Sequence, residues 1–218
     1  MLVIFDWDGT LSDSTAKIVR CVQRAAAELQ LPALADDTVK DIIGLSLSVA
    51  LQRLYPLLSV VDIERLSTAY SRHYVEDGHI PAFYDGAVEA LSELKAAGFL
   101  LAVATGKSRK GLDGVLEQLD AAHWFVATRC ADETASKPNP LMLNELLVEC
   151  QRHHQRAVMI GDTEFDLAMA QAIAMPRIAV TYGAHSVERL ERYAPVMCVN
   201  DLRETVPWLI EARGEFCR

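Results

Sequence analysis

Short apolar runs, many of them β-branched or aromatic, punctuate the chain at residues 2–5, 99–104, 157–160, 178–181 and 196–199. Their apolar character is continuous rather than alternating, which is the pattern of strands covered on both faces. Helical spacing lies between them, most clearly at Ala87, Ala90, Leu91, Leu94 and Ala97, followed by Gly98 where a left-handed residue commonly ends a helix. Strand–helix alternation of this kind predicts an α/β fold, a doubly wound parallel sheet with helices on both faces. Right-handed crossovers then gather the strand C-termini along one edge, where such sheets bind ligands.

One segment interrupts the alternation. Residues 14–80 contain no convincing strand, only helical patterns such as Ile18, Cys21, Val22, Ala25, Ala26 and Leu29, broken at Gly44 and Pro56. This predicts a helical insertion, a cap of residues 14–80 on a core of 1–13 and 81–218. Because it starts just past the first strand, it would emerge from the ligand edge and fold over it, with Gly78 and Pro81 marking a hinge on its return.

Composition narrows the function classes. The 218 residues are 51% hydrophobic and 23% charged, enough apolar material for a sizeable core. Thirty Asp plus Glu against 21 Lys plus Arg give a net charge of −9, so no nucleic-acid partner is expected. An anionic substrate would need a local positive site made of a metal ion, a lysine or backbone N–H groups. No apolar stretch approaches the roughly 18 residues needed to cross a bilayer, and Asp6 breaks the opening run, so neither a membrane helix nor a secretory signal is expected. Five scattered cysteines, Cys21, Cys130, Cys150, Cys198 and Cys217, form no C-x-x-C pair and point to a reducing cytoplasm.

Four clusters carry candidate chemistry, each at a predicted strand end. Asp6-Trp7-Asp8-Gly9-Thr10-Leu11 follows the first strand. Two carboxylates two residues apart suit one that meets a metal or electrophile and one that handles a proton, although a D-x-D pair also occurs in solvated turns. Thr105-Gly106-Lys107-Ser108 follows the second run. A nucleotide-binding P-loop would need glycine at position 101, which is Leu, so that reading fails. A hydroxyl and backbone N–H groups at a strand-to-helix junction remain, an anion cradle compatible with helix capping. Lys137 stands in Ser136-Lys137-Pro138-Asn139-Pro140, where the prolines hold a stiff loop and permit a helix to start. Gly161-Asp162-Thr163-Glu164-Phe165-Asp166 follows a later strand, with Asp162 and Asp166 expected on one side of a helix start, where capping is the alternative role.

Taken together, D-x-D-G-T-L, the threonine after the next strand, the lysine before a helix, and G-D-x-x-x-D resemble the phosphatases of the haloacid dehalogenase superfamily over essentially the whole chain. The resemblance implies a Rossmann-like, haloacid dehalogenase-like core with a helical cap, and a phosphoric monoester hydrolase. It casts Asp6 as the nucleophile that becomes an aspartyl-phosphate and Asp8 as the acid and base. It assigns Mg²⁺ to Asp6, Asp8 (through its backbone carbonyl), Asp162 and Asp166, the last directly or through water. Thr105, Gly106 and Lys137 would hold the phosphoryl group. Asp8 argues against a dehalogenase, which expels halide and needs no acid; a phosphomutase and a non-catalytic phospholigand binder remain as alternatives.

The layout is most similar to phosphoglycolate phosphatases within that superfamily. The expected partner is a small phosphorylated metabolite, and the expected assembly a monomer or homodimer. Substrate choice would rest on the cap, whose candidates are the turn Gly44-Leu45-Ser46 and the cations Lys17, Arg20, Lys40 and Arg53. A carboxylate-bearing substrate would need one of those cations. His153-His154 reads as an exposed pair, and Trp7 is expected to pack near the cap hinge.

Overall fold

The computed structural model describes residues 1–215, with side chains to residue 212, so Cys217 lies outside the described residues. Six parallel strands form one sheet: β1 (Leu2–Phe5), β2 (Leu100–Thr105), β3 (Ala127–Cys130), β4 (Ala157–Gly161), β5 (Arg177–Val180) and β6 (Met197–Val199). Their order is β3-β2-β1-β4-β5-β6, the doubly wound α/β arrangement the alternation predicted. β1 sits between β2 and β4, with Phe5 level with Val103 and Ile160. The residues that follow these three strands therefore leave the sheet at one edge, beside one another.

Parity along β1 divides the core. Val3 and Phe5 pack with α5 (Ala87–Ala96), α6 (Arg109–Gln118) and α10 (Thr205–Glu215), whereas Leu2 and Ile4 pack with α7 (Leu141–Glu149) and α8 (Glu164–Gln171). With apolar neighbours on both faces, every β1 side chain is buried, which is why the run is continuous in sequence. A short α9 (Val187–Glu191) packs through Leu190 against Leu167 and Ala179. Strand β3 escaped the sequence pattern. It lies at the sheet edge with Thr128 and Arg129 only partly buried, so its four residues have no apolar signature.

Between β1 and α5 come four helices: α1 (Thr15–Glu28), α2 (Asp36–Lys40), α3 (Leu47–Leu54) and α4 (Val60–Glu76). They enclose a hydrophobic cluster of their own, including Ile18, Val22, Ala25, Leu51 and Leu66, and take in one residue from α8, Phe165. The chain leaves and returns side by side: Asp13 N–H donates to the Ala82 carbonyl and Tyr84 N–H to the Leu11 carbonyl, both at 2.9 Å. Trp7 is buried at this crossing, with ring centroids 5.7 Å from Phe83 and 6.3 Å from Phe125.

The turn Gly44-Leu45-Ser46 touches the core. A Cβ on Gly106 would lie 2.5 Å from the Leu45 carbonyl oxygen and 2.6 Å from that of Gly44, so only glycine fits between the helical segment and the loop after β2. Ser46 N–H also donates to Ser136 Oγ at 2.9 Å. Cys21, Cys130, Cys150 and Cys198 are free thiols, and no described helix is long and apolar enough to cross a membrane. Leu51 is fully buried among the four helices, and Leu51→Ala is expected to destabilise the protein by about 2–5 kcal/mol, read as a lower urea midpoint.

Candidate active site

The sheet edge brings the predicted residues together. Asp6, directly after β1, is buried, and its N–H donates to the Ile160 carbonyl at 3.0 Å, which extends the β1–β4 pairing by one residue and fixes the side chain's departure. Lys137 is also buried rather than solvated, with Nζ 2.7 Å from Asp6 Oδ1 and 2.7 Å from Asp166 Oδ1. Asp6, Asp162 and Asp166 each offer a carboxylate oxygen, and these oxygens lie within 4.8 Å of one another.

Neighbouring residues fix each acid. Asp162 precedes its helix: Thr163 is the N-cap of α8, so only Asp166 belongs to the first helical turn. The two aspartates therefore converge through the strand-to-helix turn, not through helical stacking as the spacing predicted. Asp162 Oδ1 accepts from Thr10 Oγ1 and Oδ2 from the Ala184 N–H, each at 2.8 Å. Glycines at 9 and 183 make this possible, since a Cβ at either would come within 2.2 Å of the Asp162 side chain. Asp166 is both cap and site residue. Its Oδ2 accepts from Thr163 N–H at 3.2 Å and Thr163 Oγ1 at 2.6 Å, while Oδ1 faces Lys137.

Asp8 has partners that sequence reasoning did not single out. Ser14 N-caps α1 in position only; its hydroxyl accepts from no helix N–H and instead donates to Asp8 Oδ1 at 2.5 Å. Lys107 Nζ stands 3.0 Å from the same oxygen and 3.4 Å from the Tyr74 hydroxyl on α4. Both residues lie inside the quoted motifs or next to them; the Gly106-Lys107 pair gave the signal, but it pointed to a P-loop that the chain lacks. Thr105 is buried at the end of β2 with Oγ1 accepting from Lys107 N–H at 3.2 Å, and Ser108 caps α6 by accepting from Gly111 N–H at 3.2 Å. Of the other candidates, His153 is exposed and His154 bonds the Ile173 carbonyl, so that pair stands apart from the site.

Electrostatics favour a cation here. Burial, opposed by Lys137 and reinforced by Asp166 and Asp162, raises the Asp6 pKa well above the usual aspartate range. Burial and Asp166 lift Asp162 to about 7. Burial works against the Lys137 ammonium, yet Asp166 and Asp6 hold its pKa above the ordinary lysine value. Three carboxylates against one ammonium leave a formal excess of two negative charges, and Asp6 Oδ2 is buried without a hydrogen-bond donor. An all-oxygen donor set with a buried unpartnered oxygen and that charge deficit fits a hard divalent cation.

Residues 3–180 match the haloacid dehalogenase-like hydrolase family. The chain belongs to that family. Within it, the chain is 31% identical to a phosphoglycolate phosphatase of Agrobacterium fabrum, across 96% of this chain and 92% of the relative. It is 30% identical to a phosphoglycolate phosphatase of Vibrio cholerae, across 92% and 93%. The structure superposes on a predicted phosphatase from Clostridium acetobutylicum with a TM-score of 0.85 at 28% identity, covering 96% of this chain and 98% of the other. This haloacid dehalogenase-like hydrolase is thus an enzyme of the phosphatase class.

Three outcomes follow. In ion-free protein, Asp162 keeps its proton between the ordinary aspartate range and about 7, where the unfolded chain has lost it, so stability falls as pH rises through that window. Because a bound cation requires the carboxylates ionised, added Mg²⁺ should raise Tm more at pH 8 than at pH 5, measured by thermal unfolding against an EDTA control. Thr10→Val, which removes the donor to Asp162 Oδ1, should weaken Mg²⁺ binding by about 10–100-fold in a calorimetric titration.

Proposed function

We propose that this hydrolase is a Mg²⁺-dependent phosphatase that cleaves a small phosphorylated metabolite, with phosphoglycolate as first candidate, by way of a phosphoryl group carried on Asp6. The observation that carries the reading is the buried Asp6, held by Lys137 and grouped with Asp162 and Asp166, opening with Asp8 onto one cavity of about 750 Å³. Residues 14–80 act as a cap over a core of 1–13 and 81–218, and the cavity lies between them.

Asp6 attacks phosphorus as the ester P–O bond breaks, and Asp8 gives its proton to the departing alcohol oxygen. Water then attacks the same phosphorus, passing a proton to Asp8, and releases phosphate with Asp6 restored. Ser14 and Lys107 hold Asp8 in one orientation for both transfers. The Thr105 hydroxyl and the Gly106 N–H receive the phosphoryl oxygens, and Lys137 keeps Asp6 aligned while offsetting charge on the transferring group. Mg²⁺ would be held by Asp6, the Asp8 backbone carbonyl and Asp162, with Asp166 bound directly or through water, and would supply the positive charge that lets a phosphate dianion approach the carboxylates. Asp166 aligns Lys137, since one of its oxygens is engaged by that ammonium and the other by Thr163. The free thiols support a reducing cytoplasm as the working compartment.

Hydrolysis of p-nitrophenyl phosphate tests the scheme. Activity should require Mg²⁺, vanish with EDTA, and fall by at least about 10³-fold in Asp6→Asn. An Asp6→Asn protein as active as the wild type would remove Asp6 as nucleophile.

A further inference from the structure

We infer that Lys17, with Lys107 beside it, forms an anion subsite that recognises a carboxylate on the leaving alcohol of the substrate. The inference rests on the phosphatase reading and adds to it the residue that reads the substrate. Of the four cap cations that the sequence offered as candidates, three are engaged away from the cavity. Arg20 pairs with Asp77 at 3.3 Å, Lys40 with Asp37 at 3.0 Å, and Arg53 lies over the Phe165 ring at 5.2 Å. Lys17 alone among them lines the cavity that Asp6 and Asp8 open onto.

The surroundings of Lys17 are those of a charge awaiting a counter-ion. It is 6% exposed, its Nζ donates to the His79 carbonyl and lies 4.2 Å from the centroid of the Tyr74 ring, and among the described residues no carboxylate comes within ion-pair distance of it. Asp77, the acid whose charge acts on it, is already claimed by Arg20 at 3.3 Å and Arg24 at 3.9 Å. Burial, partly relieved by Asp77 and reinforced by repulsion from Lys107, holds the Lys17 ammonium below the usual lysine range. Beyond the His79 carbonyl and the Tyr74 ring, the apolar cavity residues Ile18, Val22, Ile42 and Ile43 offer no counter-charge.

Lys107 sets the distance from the chemistry. Its ammonium is 3.0 Å from Asp8 Oδ1 and 4.9 Å from the centroid of the same Tyr74 ring that Lys17 covers. Asp8 meets the ester oxygen, so a group one or two bonds beyond that oxygen reaches the side of the cavity where Lys107 and Lys17 stand. Lys107 is paired with Asp8 whereas Lys17 has no carboxylate within ion-pair distance among the described residues, and that uncompensated positive charge suits an anion delivered by the substrate. The other cavity cations are not equivalents, since Arg72 pairs with Glu28 and Lys110 is exposed. The substrate class is therefore a phosphate monoester of a short hydroxy acid.

Deleting the carboxylate from the substrate and the ammonium from the protein tests this as a cycle. Wild-type protein should favour 2-phosphoglycolate over ethyl phosphate, its analogue without the carboxylate, by at least about 100-fold in kcat/KM. Lys17→Met should cost 2-phosphoglycolate at least about 10-fold more than it costs ethyl phosphate, mostly through KM, and Lys17→Arg should restore part of the preference. Tm of Lys17→Met should be equal to or above that of the wild type, because an unpaired buried charge has been removed. Equal losses on both esters, a wild type indifferent to the carboxylate, or a marked fall in Tm would each overturn the subsite. Failure of the wild type on p-nitrophenyl phosphate as well would sink the phosphatase reading itself, a result distinct from lost discrimination.

Discussion

A single buried ammonium joins two parts of the chain that would otherwise repel. Lys137 reaches Asp6 from the loop after β3 and Asp166 from the first turn of α8, each at 2.7 Å and each out of contact with water. Isolated charges in such a place would cost several kcal/mol apiece, so each acid depends on the lysine and the lysine on both acids. The arrangement is still incomplete in charge: Asp162 stands beside it with its own carboxylate, and one oxygen of Asp6 has no donor. That residual negative charge is the physical reason a divalent cation belongs in the site.

The sheet is what makes the convergence affordable in conformational terms. β1, β2 and β4 run parallel and adjacent, so residues following them emerge level with one another without strained loops. Glycines then let the turns close in. Gly9 and Gly183 leave room for Asp162, and Gly106 leaves room for the carbonyls of Gly44 and Leu45 from the helical segment. The same edge therefore serves as the base of the site and as the seat of the helices above it. Tyr74 carries this coupling further, since a residue of α4 sits under ammonium groups from α1 and from the loop after β2.

Capping and chemistry are not alternatives in this molecule. Asp166 closes a capping box with Thr163 and also holds Lys137, so one side chain starts the helix and orients the site. Ser14 goes the other way, occupying an N-cap position while giving its hydroxyl to Asp8. Local propensity placed both residues at helix starts; the neighbouring charge decided how each spends its hydrogen bonds.

Much of this was legible in the chain itself. Continuous apolar runs marked five of the six strands because strands buried on both faces need no polar residue. Motifs at strand ends named Asp6, Asp8, Thr105, Asp162 and Asp166 because the parallel topology must bring those ends together, whereas Lys137 was named by its proline-framed loop and the family resemblance. β3 was not legible, because an edge strand with Thr128 and Arg129 partly in water has no continuous apolar pattern. Nor were the contacts of Lys17, Lys107 and Ser14, for spacing says nothing about which carboxylate lies within 3 Å of an ammonium. One-dimensional pattern fixed which groups reach the sheet edge; packing of the helices over that edge decided which lysine is left there without a counter-ion.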